Sequence, residues 1–121
     1  MSIFYIGAGG FFGATSRYIV SIFFENIGLN TNLSTIFVNV FGSFLMGTMF
    51  YFLTSNSSDF YKMFFVIGFL GSFTTFSAFS LDSLNLLLSR EYFELFIYIA
   101  SSVFVSILFI FIGFILAKEI Y

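Results

Sequence analysis

Residues 68–82 read Gly68-Phe-Leu-Gly-Ser-Phe-Thr-Thr-Phe-Ser-Ala-Phe-Ser-Leu-Asp82, with two glycines, five hydroxyl residues and four phenylalanines inside a long apolar run. Glycine and adjacent β-branched threonines weaken a helix, and in lipid a backbone group freed from the helical ladder needs another partner. The stretch therefore predicts a broken membrane helix, with the break around Gly71 to Ser77. Carbonyls and hydroxyls freed at such a break can bind an ion.

The chain around this stretch is very apolar. Of its 121 residues, 60% are hydrophobic and 8% are charged, and the mean hydropathy is +1.07. These values predict an integral membrane protein. We expect an all-α, multi-pass protein in which residues 1–121 form a single four-helix membrane domain with a broken third helix. The helices, each with the ~20 residues that a span needs, are predicted at residues 3–24, 33–53, 63–88 and 95–117.

Composition also excludes several classes of function. The chain has no cysteine and no histidine, which excludes disulfides, thiol chemistry and an imidazole proton switch. Four basic residues and a net charge of −2 argue against nucleic acid as a partner. The early glycines lack the spacing and the βαβ context of a nucleotide-binding loop, and Gly9 and Gly13 instead predict close contact with another helix. We expect neither a nucleotide partner nor enzymatic activity.

Positive charges are divided evenly between the two ends of the predicted bundle. Lys62 and Lys118 lie on the side of both termini, and Arg17 and Arg90 lie towards the other side. By the positive-inside rule, such an even division gives the chain almost no preference for either orientation in the membrane. Because a chain this short cannot hold an inverted repeat, two copies would have to supply the inverted symmetry. The balance predicts a dual-topology, antiparallel homodimer.

Two of the predicted helices carry polar residues at four-residue steps, which place them on one helical face. They are Thr35, Asn39, Ser43 and Gly47 in the second helix, and Tyr98, Ser102 and Ser106 in the fourth. The stripe of the second helix faces either a partner helix or a cavity. The hydroxyls of the fourth helix either form a polar face unlike lipid-facing packing or bond back to the carbonyl one turn earlier.

Two charged residues fall within predicted helices and leave alternatives open. Arg17 either snorkels to the membrane interface or faces a vestibule, where it concentrates anions or braces the fold. Asp82 is the only carboxylate that could lie well inside a span, and it is either a helix cap or a functional charge.

Four motifs together resemble the Fluc (CrcB) family of fluoride channels. They are Gly10-x-x-Gly13-Ala-x-x-Arg17-Tyr18, Val38-Asn39-x-x-Gly42-Ser43-Phe44-x-x-Gly47, Gly68-Phe-x-Gly71-x-x-Thr74-Thr75-Phe76-Ser77-x-Phe79-Ser80 and the hydroxyl face of the fourth helix. The resemblance implies passive, fluoride-selective efflux that protects a bacterial cell from fluoride toxicity. It also implies an antiparallel homodimer in the plasma (cell inner) membrane, with two pores and one central, structural sodium ion that is not transported.

The resemblance implies roles for single residues as well. The fluoride pore would be lined by Asn39, Phe76, Ser77, Phe79, Tyr98, Ser102 and Ser106. Backbone carbonyls of Gly71 and Thr74 would hold the sodium ion, and Arg17 would act at the pore mouth or brace the fold. Asp82 stands where the family favours glutamate. Hydroxyl and amide donors with phenylalanine ring edges suit fluoride, because they replace its water shell without a fixed charge.

Two rival functions come from other classes. A small dual-topology drug/proton antiporter would need a membrane-embedded carboxylate, usually in the first helix, whereas Glu25 lies at the end of that helix. A non-transporting assembly subunit would show isolated polar pairs rather than continuous stripes. The partners we expect are fluoride, membrane lipid and a second copy of the chain.

Overall fold

In a computed structural model, which describes residues 1–55 and 58–121, all regular secondary structure is helical. Helix α1 covers Ser2–Asn26 and α2 covers Thr31–Ser55. Helix α3 covers residues 59–73 and consists of an α-helical turn at Asp59–Tyr61, a π-helical segment at Lys62–Leu70 and a last α-helical turn at Gly71–Phe73. Helices α4 and α5 cover Phe76–Leu88 and Tyr92–Ile120.

The observed helices begin or end within a few residues of the predicted limits, and most are longer than predicted. The sequence predicted a polar turn over residues 54–62. Of that turn, Asn56 and Ser57 lie outside the described residues, and the chain is helical up to Ser55 and again from Asp59.

Three segments in the described part of the chain are long and apolar enough to cross a membrane: Thr31–Ser55, Asp59–Leu88 and Tyr92–Ile120. Helix α1 is equally long but less apolar, because glycines, small polar residues and Arg17 interrupt its hydrophobic residues. The fold is therefore that of an all-α protein with at least three potential spans. That α1 also crosses the membrane stays a prediction.

Glycines determine how closely α1 and α3 pack. A Cβ atom at Gly9 would collide with the backbone carbonyl oxygen of Phe64, and a Cβ atom at Gly13 would collide with that of Phe69. Only glycine permits backbones to come this close. The close helix contact predicted for Gly9 and Gly13 is confirmed, and α3 is the partner.

Glycines also allow close backbone contact between α2 and α5, the other closely packed pair of helices. Gly47 of α2 lies against the backbone carbonyl of Ile110, and Gly113 of α5 lies against that of Phe44. The contact holds α2 close to α5, the helix on which Ser102 is buried.

The third span is interrupted at Thr74 and Thr75. Their backbones are extended, with φ −78° and ψ 155° at Thr74 and φ −150° and ψ 125° at Thr75. The prediction spread the interruption from Gly71 to Ser77, but Gly71 is helical and Ser77 lies in the first turn of α4. The threonines, not the glycines, leave the helical conformation.

Candidate functional site

One side chain of α2 holds the interruption between α3 and α4. Asn39 Nδ2 donates a hydrogen bond to the carbonyl oxygen of Thr75 at 2.9 Å, and Asn39 Oδ1 accepts one from the backbone N–H of Thr75 at 2.7 Å. Both backbone polar groups of Thr75 are therefore satisfied, as burial away from water requires. Sequence reasoning identified Asn39 but assigned no role to Thr75.

Thr75 also begins α4. Its Oγ1 accepts a hydrogen bond from the backbone N–H of Ala78 at 3.1 Å, which is the usual geometry of a helix N-cap. Ser77 is exposed, and its Oγ lies 3.2 Å from Thr75 Oγ1. The start of α4, and with it the direction of Phe76 and Phe79, is thus set by Thr75.

A cavity of about 350 Å³ lies between α2, the interruption and α5, and we name it the central cavity. Five of the seven predicted pore residues line it: Asn39, Phe76, Phe79, Ser102 and Ser106. The Oγ atoms of Ser102 and Ser106 are buried and have no hydrogen-bond partner among residues 1–55 and 58–121. A buried hydroxyl without a partner costs free energy. A bound ion or water that accepts hydrogen bonds from these two serines would remove that cost.

The other two predicted pore residues, Ser77 and Tyr98, are not in the wall of the central cavity. The ring of Tyr98 stacks on Phe79 at 5.4 Å between centroids, and Phe79 lies 5.5 Å from Phe76. The Tyr98 hydroxyl donates to Asp82 Oδ2 at 2.8 Å, so its hydrogen is already used. Asp82 lies in the middle of α4, and its interpretation as a helix cap is wrong.

A second cavity, of about 230 Å³, also has Thr75 in its wall, and we name it the arginine cavity. Arg17 lines it together with four further hydroxyl residues, Tyr18, Ser21, Ser34 and Thr35. Arg17 Nε is buried and has no hydrogen-bond partner in the described part of the chain. Since an arginine stays charged and no Asp or Glu of the described residues lines this cavity, the arginine cavity carries a positive charge.

Comparison with known proteins gives the family. Residues 4–114 match the family model described as "CrcB-like protein, Camphor Resistance (CrcB)". The chain belongs to the CrcB family. The resemblance drawn from the four motifs is thereby confirmed.

Several curated proteins are similar to this CrcB chain over almost its whole length. One, named fluoride-specific ion channel FluC, from Nitratiruptor sp., is 37% identical over 120 residues, which cover 98% of this chain and 94% of that protein. Proteins of the same name from Campylobacter lari and Campylobacter fetus are 41% and 40% identical, covering 97% and 99% of this chain and 98% and 96% of those proteins. With these relatives and its apolar helices, the chain is a multi-pass bacterial membrane protein.

In this CrcB chain, Gly71 begins the last helical turn before the interruption, and Thr74 is the first residue of the interruption. In a continuous α-helix the Gly71 carbonyl would accept from the N–H of Thr75, and the Thr74 carbonyl would accept from the N–H of Ala78. Both N–H groups donate elsewhere, the first to Asn39 Oδ1 and the second to Thr75 Oγ1. The helical donors of both carbonyls are therefore used by side chains.

Proposed function

We propose that this CrcB chain is a fluoride-selective channel that lets fluoride leave the cell passively and so protects the cell from fluoride toxicity. The observation that carries the proposal is the set of relatives named fluoride-specific ion channel, which are 37% to 41% identical over nearly the full length. A channel of this kind catalyses no reaction, so the protein is not an enzyme.

The chemistry of the central cavity supports fluoride as the permeant ion. Fluoride is small and strongly hydrated, so a pore must replace its water with many donors but must not trap it. The side chains that line the cavity include the amide of Asn39 and the hydroxyls of Ser102 and Ser106, and among the described residues no charged side chain lines it. The rings of Phe76 and Phe79 add edges that carry partial positive charge.

Arg17 would attract the anion to this path. The arginine cavity and the central cavity share Thr75 in their walls and are therefore neighbours, which supports a route from one to the other. A fixed positive charge in the arginine cavity would raise the local concentration of anions, while the central cavity, with donors but no charge among its described lining residues, would let the ion move on.

The functional unit would be an antiparallel homodimer with two pores, surrounded by lipid in the bacterial inner membrane. Helix α4 supports this assembly, because large apolar side chains on it are uncovered: Phe76 is 76% exposed and Leu81 is 59% exposed. The central cavity opens beside this face. A second copy of the chain would cover α4 and complete the wall of the pore.

We expect both orientations of the subunit in the membrane. Because the chain has no cysteine, a single Ser2→Cys or Tyr121→Cys variant can be labelled with a membrane-impermeant thiol reagent applied from outside. Balanced charges should leave about half of the termini outside, and detergent should expose the rest. Labelling that finds every C-terminus on one side would contradict dual topology.

One structural sodium ion, which is not transported, would lie on the dimer axis. Hard cations prefer oxygen ligands, and carbonyls of unwound helices are typical sodium ligands. The carbonyls of Gly71 and Thr74 fit this role, since the N–H groups that would occupy them in a helix are bonded to Asn39 and Thr75.

Flux from liposomes tests the function directly. Purified protein reconstituted into vesicles loaded with fluoride should release it rapidly once a potassium ionophore balances the charge, and vesicles loaded with chloride should release little. A drug/proton antiporter would instead move protons when a cationic substrate is added, and an assembly subunit would move neither ion. Equal release of fluoride and chloride, or no release, would overturn the proposal.

A further inference from the structure

We infer that Asn39 and Thr75 are positioning residues for the sodium site, because their side chains occupy the two N–H groups that would otherwise close the helix over the sodium-binding carbonyls. The inference rests on the sodium ion of the proposed function. It assigns Asn39 a role beyond the fluoride pore, and it assigns a role to Thr75, for which the sequence suggested none.

The first step concerns Asn39. The N–H of Thr75 is the helical donor for the Gly71 carbonyl, and it lies 2.7 Å from Asn39 Oδ1 instead. If Asn39 lost its amide, this N–H would be left without a partner in an apolar setting, at a substantial cost in free energy. The nearest way to satisfy it is to continue the helix by one residue and return the hydrogen bond to Gly71. That bond would occupy one of the carbonyls proposed to bind sodium.

The second step concerns the hydroxyl of Thr75. The N–H of Ala78 is the helical donor for the Thr74 carbonyl, and it donates to Thr75 Oγ1 at 3.1 Å. This N-cap begins α4 at Phe76 and leaves Thr74 in an extended conformation. Without the hydroxyl, the same N–H has the Thr74 carbonyl as its alternative acceptor.

Asn39 and Thr75 connect the proposed sodium site with the proposed fluoride pore. Asn39 and Thr75 line the central cavity, and Thr75 also lines the arginine cavity. The hydrogen bonds that hold the pore wall in place are therefore the ones that keep the sodium-binding carbonyls free. A substitution at Asn39 should weaken sodium binding although no atom of its side chain touches the ion.

The test compares sodium-dependent stability in matched variants. Thr75→Val removes the capping hydroxyl but keeps the shape of the side chain, Thr75→Ser keeps the hydroxyl, and Asn39→Leu removes the amide. Thr48→Val is the control, since Thr48 is half-buried and its hydroxyl only donates to Phe44 O one turn earlier, at 2.8 Å. For each purified protein, Tm is measured over a range of sodium concentrations, with N-methylglucamine holding the ionic strength constant.

The wild type, Thr75→Ser and Thr48→Val should be stabilised by sodium. Thr75→Val and Asn39→Leu should need about tenfold more sodium for the same gain in Tm, since each loses one hydrogen bond that keeps a carbonyl free. Equal sodium dependence in all five proteins would overturn the inference and leave the sodium site intact. If sodium did not change the Tm of the wild type, the proposed sodium site would be contradicted, and with it the positioning role of Asn39 and Thr75.

A second measurement needs no variant and covers the case in which the substituted proteins do not fold. In wild-type protein labelled with ¹⁵N at threonine and asparagine, replacing sodium with N-methylglucamine should shift the Thr75 amide resonance and the Asn39 side-chain resonance, while Thr48 stays unchanged. If sodium raises Tm but neither of the two resonances responds, Asn39 and Thr75 do not position the site.

Discussion

Gly9→Ala is expected to destabilise the helical bundle strongly, whereas Gly7→Ala, two residues earlier on the same helix, should be harmless. A Cβ atom at Gly9 would collide with the backbone carbonyl of Phe64, and a helix backbone cannot move aside as a flexible side chain can. Helices α1 and α3 would have to separate, at a cost of about 1–3 kcal/mol or more from overpacking. A Cβ atom at Gly7 meets nothing within 4 Å.

The measurement is the yield and Tm of the purified protein in a mild detergent. Alanine favours a helix over glycine by about 0.5–1 kcal/mol, so Gly7→Ala should leave Tm unchanged or slightly raised. Gly9→Ala should aggregate or lose most of its yield. If the two variants had the same Tm, the close contact between α1 and α3 would not be the one on which the fold depends.

The contrast between Gly7 and Gly9 also marks how far the sequence alone could be interpreted. The sequence predicted an all-helical chain, and the regular structure of the described residues is helical. A run of apolar residues that must satisfy its backbone in lipid has little alternative to a helix. The four-residue spacing of Gly9 and Gly13 predicted a close contact, and the structure has it. Spacing does not name the partner, and only the packed structure identifies α3.

The interruption between α3 and α4 shows why some features could not be predicted from the sequence. Glycines are the usual sign of a weak helix, yet Gly71 remains helical and the neighbouring threonines do not. The reason is tertiary, since Asn39, which lies 36 residues earlier in the chain, competes for the backbone of Thr75. The contact between Tyr98 and Asp82 depends in the same way on how α4 packs on α5. A local sequence pattern cannot identify contacts between residues that are far apart in the chain.

Phe76→Ile and Phe79→Ile are each expected to lower fluoride flux by about fivefold to tenfold, because each removes a ring edge worth about 1–1.4 kcal/mol to an anion in transit. Isoleucine keeps the apolar bulk, so the effect is on electrostatics and not on volume. Phe76 is 76% exposed in the subunit and contributes little to its stability. Phe79 also stacks on Tyr98, and its loss should lower Tm slightly.

Phe109→Ile provides the control for both. Phe109 lines a separate apolar groove between α2 and α5, away from the central cavity, so the same substitution changes packing without changing the proposed pore. Fluoride release from liposomes and the dimer fraction on gel filtration should be measured for all three variants. We expect normal dimers throughout and loss of flux only in Phe76→Ile and Phe79→Ile. Because this chain contains 23 phenylalanines, abundance alone says nothing about function, and equal flux in the three variants would mean that Phe76 and Phe79 serve packing alone.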